Sequence, residues 1–456
     1  MDSLIAMLMP RSHRGVASVH ILPIVILGSL LASCSSPKVI QTSSPLFGSN
    51  LAATTNHLGP LPQEARAVLS QSKLTADYRA NPDEAIRSLR TDLQSDDSAE
   101  LRTALIVLCQ RAGRKQADPA AAAGYFVSAS EIAYEGLEKG GADGTQYLAL
   151  YNQSCGEAAE AFLSLDSFSS GVDIKGPFSD YRIRTKTGGI EYRQINEFSQ
   201  LIPAEDLKFR HIEMERKIRP GIGSAMVGHY PNTEAHRKIN PFLPPAGLMI
   251  PANVTLEFRT GGNVDFACRD LNVVNRANVG GTTQTLAADY TAPLAMLLNS
   301  APKHNVGWDG MLHPEDYEDK MGLFQLEPFR RDQIPVIFVH GLMSSPAIWF
   351  DALNELHADP VLRAKYQVLA FYYPTGFPVA YNAHSLREKL KDFREAFDPG
   401  RTNPNMRNMV MIGHSMGGAT YEFSDTGEWV GFHQRIFRPP YRRSRWSNGI
   451  AEGNIA

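Results

Sequence analysis

The sequence has few cysteines and no excess of charge of either sign, and these absences exclude several classes of protein. Its four cysteines lie at positions 34, 109, 155 and 268, and no two of them have the spacing of a metal site. The 45 basic and 48 acidic residues leave a formal net charge of −3, which gives no electrostatic attraction toward nucleic acid. We therefore predict neither a bound metal nor a nucleic-acid partner.

A complete glycine-rich nucleotide loop is also absent. Gly221 and Gly223 stand near Gly228, but no buried strand precedes them and no third glycine has the required spacing. We interpret this segment as an ordinary loop and predict no cofactor. With 43% hydrophobic residues, the chain can nevertheless bury cores for two or three domains.

The N-terminus has the pattern of an export signal. Two arginines precede an apolar run from Val16 to Ala32, which is too short and too poorly flanked to indicate a secure membrane span. The run ends in Leu-Ala-Ser-Cys, which resembles a bacterial lipobox. Cleavage there would make residues 1–33 a signal peptide and leave Cys34 to be lipidated. The alternative is an ordinary signal with a chance cysteine.

Lipidation of Cys34 would tether an exported protein to a membrane that it does not span. Ser35, in the next position, favours the outer membrane by analogy with Gram-negative lipoproteins, so we predict a protein that faces the periplasm. The three remaining cysteines would be an odd number in an oxidising compartment. The sequence leaves two alternatives for Cys109 and Cys155, which are a disulfide bond or two unpaired core residues.

Two further segments precede the C-terminal half of the chain. Residues 34–63 are rich in Ser, Thr, Pro, Asn and Gly without a sustained period, which is typical of a flexible, lipidated linker. Residues 64–166 have a helical pattern, with a strong start signal at Asn81 and Pro82. Small alanines between large apolar residues predict an all-α domain of helical hairpins, resembling tetratricopeptide-type repeats. Such a domain either binds a protein partner or supports the rest of the fold.

The remainder, residues 168–456, begins with short strands and continues as an alternation of strands and helices. Apolar runs at 335–339, 368–372 and 409–412 are each expected to form strands buried on both faces. Alternation of strand and helix predicts a parallel sheet. We expect the strands from about residue 245 onward to supply the leading edge of that sheet.

The third of these strands runs into Gly-His-Ser-Met-Gly at 413–417. A serine between a buried strand and a helix stands on a sharp turn with its hydroxyl exposed, which is the position of a nucleophile. Gly413 and Gly417 are needed because side chains two residues from the serine would collide with neighbouring elements. Ser415 is therefore the predicted catalytic residue.

Together with His340 and Gly341 after the first strand, this motif resembles the α/β-hydrolase superfamily, and within it bacterial lipase- and esterase-like serine hydrolases. The resemblance implies an α/β fold with a mostly parallel sheet across residues 168–456, preceded by the all-α domain. It also implies hydrolysis of a small-molecule or lipid carboxylic ester through an acyl-enzyme, without a cofactor.

The resemblance further assigns roles to single residues. The backbone N–H of Met416 and that of Leu342 or Met343 would bind the oxygen that becomes negative. His340 would shape its loop and His414 would pack inside the turn, because in this superfamily the catalytic histidine comes after the serine in the chain.

The histidine and carboxylate that such a serine needs are hard to find in the sequence. Only 41 residues follow Ser415, whereas completing the sheet would take about three more units of roughly 25 residues each. Residues 418–456 are atypical, rich in arginine and without a buried strand pattern. We therefore expect a sheet that is incomplete at its C-terminus, and poor stability or aggregation. His433, with Asp425 or Glu428 as its partner, is the one candidate base there.

The absence of a convincing base supports a second hypothesis. In it the chain is a non-catalytic lipoprotein, its helical domain binds a partner, and the hydrolase-like part is a remnant.

Overall fold

The computed structural model describes residues 38–41, 59–165, 168, 171–210, 214–300, 306–424 and 435–436. Cys34, Asp425, Glu428 and His433 lie outside these ranges, so the predicted lipidation site and the candidate base with its partners are not placed. Within the ranges, no helix combines the length and the apolarity needed to cross a bilayer.

One short strand and six helices come first in the chain. The helix start predicted at Asn81 is confirmed, because its side chain accepts the N–H of Asp83 and Pro82 occupies the first helical position. Asp118 caps a later helix in the same way, by accepting two N–H groups of its first turn. In chain order these elements are β1 (Lys38–Gln41), α1 (Gln63–Gln71), α2 (Thr75–Ala80), α3 (Pro82–Ser95), α4 (Ala99–Gly113), α5 (Pro119–Lys139) and α6 (Gly144–Leu163).

A curled, half-barrel-like sheet of six strands follows the helices. The strands of this region are β2 (Val172–Lys175), β3 (Asp180–Thr185), β4 (Gln200–Pro203), β5 (Leu207–Arg210), β6 (Ile218–Arg219), β7 (Ser224–Tyr230), β8 (Leu248–Phe258), β9 (Asn263–Asp270), β10 (Arg276–Val279), β11 (Thr282–Thr285) and β12 (Ala288–Asp289), with α7 (Glu234–Ile239) between β7 and β8. The sheet order is β2-β3-β9-β8-β7-β4, and every pairing except β3 with β9 is antiparallel. Three two-stranded sheets, β1-β5, β10-β11 and β6-β12, lie beside it.

The helices and this sheet share one hydrophobic core, which extends from α1 to Tyr290. The Tyr151 hydroxyl on α6 donates to the backbone oxygen of Leu256 on β8 at 2.8 Å, and the Tyr181 hydroxyl on β3 lies 3.0 Å from the Ser128 hydroxyl on α5. The faces of α5 and α6 are therefore packed against the sheet of the same chain.

A second, five-stranded sheet carries the predicted nucleophile. Its region contains α8 (Thr291–Ser300), α9 (Val306–Leu312), β13 (Gly322–Gln325), β14 (Ile334–Val339), α10 (Phe350–Ala358), α11 (Pro360–Lys365), β15 (Tyr366–Tyr372), α12 (Val379–Phe397), α13 (Pro404–Arg407), β16 (Val410–Gly413), α14 (Met416–Ser424) and β17 (Arg435–Ile436). The order is β13-β15-β14-β16-β17, in which β13 pairs antiparallel and the other pairs are parallel.

Strand β14 is buried on both faces, because neighbouring side chains of a strand point to opposite sides. Val336 and Phe338 pack with Leu353 of α10 on one side. Ile337 packs with Phe393 of α12 on the other. The three apolar runs noted in the sequence are therefore strands, and their burial explains why each is continuously apolar.

The predicted fold class is wrong. We expected an α/β-hydrolase-type, mostly parallel sheet to include the strands from about residue 245, but β8 and β9 lie in the centre of the six-stranded sheet. Only residues 259–262 join them, a connection that is too short for the crossover that a parallel pair requires, so the pair is antiparallel. The chain is a helical region followed by a mixed, mostly antiparallel half-barrel sheet and smaller sheets.

Glu157 on α6 is a buried carboxylate with incomplete pairing. One carboxylate oxygen, Oε1, accepts hydrogen bonds from Arg114, including one from Nε at 2.7 Å. The other, Oε2, is buried without a partner in the described part of the chain. Burial raises the pKa of Glu157 to about 7, Arg114 opposes that rise, and the neighbouring carboxylates Asp206 and Glu205 add to it.

This raised pKa predicts a pH-dependent stability. The folded state holds the Glu157 proton more tightly than the unfolded chain, where a glutamate titrates near pH 4.3, so stability falls as pH rises from about 4.5 to about 7. The loss is at most about 4 kcal/mol. We expect Glu157→Gln to flatten this part of the curve of unfolding free energy against pH, measured in urea. Glu64→Gln, at an exposed glutamate of α1, should leave the curve unchanged, and an unflattened curve for Glu157→Gln would refute the assignment.

Candidate active site

Ser415 lies in a sharp turn between β16 and α14. Its backbone has φ 53°, a left-handed conformation that is uncommon for a residue other than glycine. The turn is held by hydrogen bonds from Gly417 N–H to the His414 oxygen and from Gly418 N–H to the Ser415 oxygen, both at 2.9 Å. The Ser415 residue is exposed, so its hydroxyl is accessible to a substrate.

Close packing explains why glycine is required two residues on either side of the serine. A Cβ added to Gly413 would lie 2.6 Å from the Gly418 nitrogen, and a Cβ on Gly417 would overlap the backbone oxygens of Val339 and His340. These are backbone atoms, which cannot move aside as the end of a side chain can. The strand, the turn and the loop after β14 are therefore in direct contact.

Gly341 brings the two sequence motifs together. A Cβ at this position would lie 3.1 Å from the Ser415 Cβ and 2.8 Å from His414 Nδ1. The loop that follows β14 thus passes directly beside the serine. Its first two N–H groups after Gly341 belong to Leu342 and Met343.

The structure distinguishes between these two N–H groups. The Met343 N–H donates to the Thr375 hydroxyl oxygen at 3.2 Å, and Met343 has φ 52°. The Leu342 N–H has no acceptor in the part of the chain that the structure describes. Met416 is the first residue of α14, where a backbone N–H has no acceptor within the helix. Leu342 and Met416 are therefore the two donors available beside Ser415.

His340 is fully buried, and its contacts join the loop after β14 to Tyr373. Its Nδ1 lies 3.1 Å from the Gly341 oxygen, and its Nε2 accepts the Tyr373 N–H at 3.4 Å. The Tyr373 ring stacks on it, and the Tyr373 hydroxyl donates to the His340 oxygen at 2.7 Å. Burial lowers the pKa of His340 to about 4. Both ring nitrogens are engaged, so His340 is not arranged to take a proton from Ser415.

His414 packs inside the turn. Its ring lies edge-on to Trp349 with the centroids 6.4 Å apart. Its Nδ1 is buried without a hydrogen-bond partner among the described residues. Ser415, the next residue, points instead to solvent, and the described residues include no histidine that is hydrogen-bonded to it.

A hydrogen-bonded serine–histidine pair lies elsewhere in the fold, and no motif in the sequence predicted it. The Ser199 hydroxyl lies 2.7 Å from His229 Nδ1, and His229 Nε2 lies 2.7 Å from the Ala246 oxygen. The two residues are 30 positions apart and meet because β4 pairs with β7. Ser199 is exposed at the start of an edge strand of the other sheet, which makes it a useful control for Ser415.

The described residues do not form a metal site, since they include no group of three or more His, Cys, Asp or Glu side chains that could hold an ion. Cys109, Cys155 and Cys268 are buried free thiols, so the disulfide between Cys109 and Cys155 that the sequence left open is not formed. No protein-family model matches the chain, and no curated protein or solved structure is significantly similar to it.

Proposed function

We propose that this chain is a serine hydrolase that acts on carboxylic esters through Ser415. The observation that carries the proposal is the position of the serine, which is exposed at φ 53° between a buried strand and the N-terminus of α14. The N-terminus of a helix favours negative charge. A carbonyl oxygen placed there would be stabilised as it becomes an oxyanion.

The chemistry follows from the groups beside the serine. Ser415 Oγ attacks the ester carbonyl carbon, and the N–H groups of Met416 and Leu342 bind the resulting oxyanion. The alcohol then leaves, and water hydrolyses the acyl-enzyme. Removal of one oxyanion donor typically costs about 3–4 kcal/mol in the transition state. The proposed mechanism therefore requires that both N–H groups are free to bind the oxyanion.

The proton of Ser415 must pass to a base. His340 is unsuited to that role, because it is buried, is neutral near pH 7 and has both ring nitrogens engaged. The proposal therefore needs a base from outside the described residues, where His433 lies. Among the described residues, no histidine is hydrogen-bonded to Ser415. This observation favours the alternative, a non-catalytic lipoprotein. Steady-state hydrolysis of p-nitrophenyl esters separates the two, since the alternative predicts no turnover above that of buffer.

The loop beside Ser415 predicts a preference among acyl groups. Leu342 and Met343 of this loop, and Ile348 in the 3₁₀ turn Pro346–Trp349 that follows it, are large apolar residues, yet they are 46%, 41% and 41% exposed. An aliphatic acyl chain on Ser415 would cover them. Burial of one methylene contributes about 0.8 kcal/mol, so we expect kcat/KM to rise about fourfold for each methylene that reaches the loop.

This preference is measured with the acetate, butyrate and hexanoate esters of p-nitrophenol. Ile348→Ser should reduce the rise with chain length and leave acetate hydrolysis nearly unchanged. Val361→Ser is the matched control, because Val361 is 64% exposed on α11. Equal kcat/KM for all three esters would contradict the assignment of the loop as an acyl-binding surface.

We also propose that the chain is exported and held at a membrane by a lipid on Cys34, facing the periplasm. The support is the Leu-Ala-Ser-Cys sequence at the end of the apolar N-terminal run.

A further inference from the structure

Strand β1 lies unexpectedly close in sequence to the proposed anchor. The sequence predicted a flexible linker over residues 34–63, but Lys38–Gln41 form a strand that pairs antiparallel with β5. The N–H of Val39 also donates to Asn299 Oδ1 on α8 at 3.1 Å. The chain is therefore attached to the fold at Lys38, four residues after Cys34.

This attachment limits the distance between a lipid on Cys34 and the folded protein. Four residues span at most about 14 Å when fully extended. A flexible linker of about 28 residues would instead leave the ends roughly 30 Å apart on average. The short connection ties one surface, that formed by β1 and β5, to the lipid.

The exposed side of β5 fits a membrane surface that carries anionic headgroups. Leu207 is buried and Phe209 packs toward the same core. Lys208 and Arg210 alternate with them and are exposed, because successive side chains of a strand point to opposite sides. In the pairing of the two strands, Arg210 lies opposite Lys38, the first residue of the attachment.

We propose that the surface formed by β1 and β5 rests on the membrane, with Lys208 and Arg210 against the lipid headgroups. This inference depends on the proposed lipid at Cys34 and not on the esterase activity. Strand β4 leads into β5 and forms one edge of the six-stranded sheet. Strands β2 and β3 lie at the opposite edge, which therefore faces away from the membrane in this orientation.

The test uses the full chain expressed in a Gram-negative host and reconstituted in vesicles of phosphatidylethanolamine and phosphatidylglycerol that carry a headgroup quencher. A fluorophore is attached in turn to Arg210→Cys and to Arg182→Cys, an exposed position on β3. The cysteines at 109, 155 and 268 are buried and should not react. We expect quenching at 210 to be at least twofold stronger than at 182, and a 20-residue Gly/Ser insertion between Cys34 and Lys38 to abolish the difference.

Equal quenching at the two positions in the chain without the insertion would overturn the proposal. The mass of the N-terminal peptide tests the anchor separately, and an unmodified Cys34 would also overturn the orientation because its basis would be lost. Neither result bears on ester hydrolysis by Ser415, which is measured in detergent solution. Reversal of charge at Lys208 and Arg210 should weaken the preference for vesicles with phosphatidylglycerol, whereas reversal at the exposed Arg66 and Arg87 of the helical region should not.

Discussion

Replacement of Ser415 by alanine should reduce hydrolysis of p-nitrophenyl butyrate by about 10⁴- to 10⁶-fold. The reason is that no other group beside Leu342 and Met416 can form the acyl-enzyme. The protein should remain folded, because Ser415 is exposed and alanine in its left-handed conformation costs only about 1–2 kcal/mol. Initial rates and unfolding in urea should be measured on the same preparation.

Ser199→Ala is the matched control for this experiment. Ser199 is an exposed serine with a histidine at 2.7 Å, and it directly precedes β4 of the six-stranded sheet, whereas Leu342 and Met416 follow strands of the five-stranded sheet. Its replacement should leave ester hydrolysis within about twofold of the unmodified chain. If activity instead followed Ser199 and survived Ser415→Ala, the assignment of the nucleophile would be wrong.

Replacement of Gly417 by alanine should destabilise the protein by about 3 kcal/mol or more. The added Cβ would overlap the backbone oxygens of Val339 and His340, and relief of that overlap requires β14 and α14 to separate. The midpoint of urea unfolding and its slope give the free energy. Ester hydrolysis should also be lost in the fraction that remains folded, because the same movement displaces the Leu342 loop from Ser415.

Gly418→Ala provides the comparison one residue away. Beyond its chain neighbours and the backbone of its own helix, no atom lies within 4 Å of a Cβ at Gly418. Alanine is favoured over glycine inside a helix by about 1 kcal/mol, so this variant should be as stable as the unmodified chain or slightly more stable. A large loss of stability at Gly418, or none at Gly417, would contradict the close packing described for the turn.

Local features of the fold were predictable from the sequence because they depend on neighbouring residues. The cap at Asn81 and the serine turn at 413–417 are short patterns whose geometry is set within a few residues. The runs that became β14, β15 and β16 were recognisable because strands buried on both faces are continuously apolar. The choice of Leu342 over Met343 required the structure, since it depends on the Thr375 hydroxyl 32 residues away.

The fold class was not predictable in the same way. The runs that became β8 and β9 look alike whether they join a parallel or an antiparallel sheet, and their partners are decided by contacts with distant residues. The short connection at residues 259–262 was the one local sign of an antiparallel pair. Its two glycines are typical of a turn, but the parallel sheet was predicted from the strand–helix alternation further along the chain.

Pairings between distant residues were missed for the same reason. Strand β1 lies in a segment whose composition is typical of a linker, and its partner β5 is about 170 residues away. Ser199 and His229 meet only through the pairing of β4 with β7. No pattern within a window of the sequence carries information about such contacts.

The central claim, that Ser415 is an activated nucleophile, is tested most directly by reaction with a fluorophosphonate and identification of the modified peptide by mass spectrometry. We predict a single adduct on Ser415, formed in the folded protein and absent after urea denaturation. The absence of an adduct on Ser415 in folded protein, with or without labelling at Ser199, would contradict the claim and favour the non-catalytic alternative.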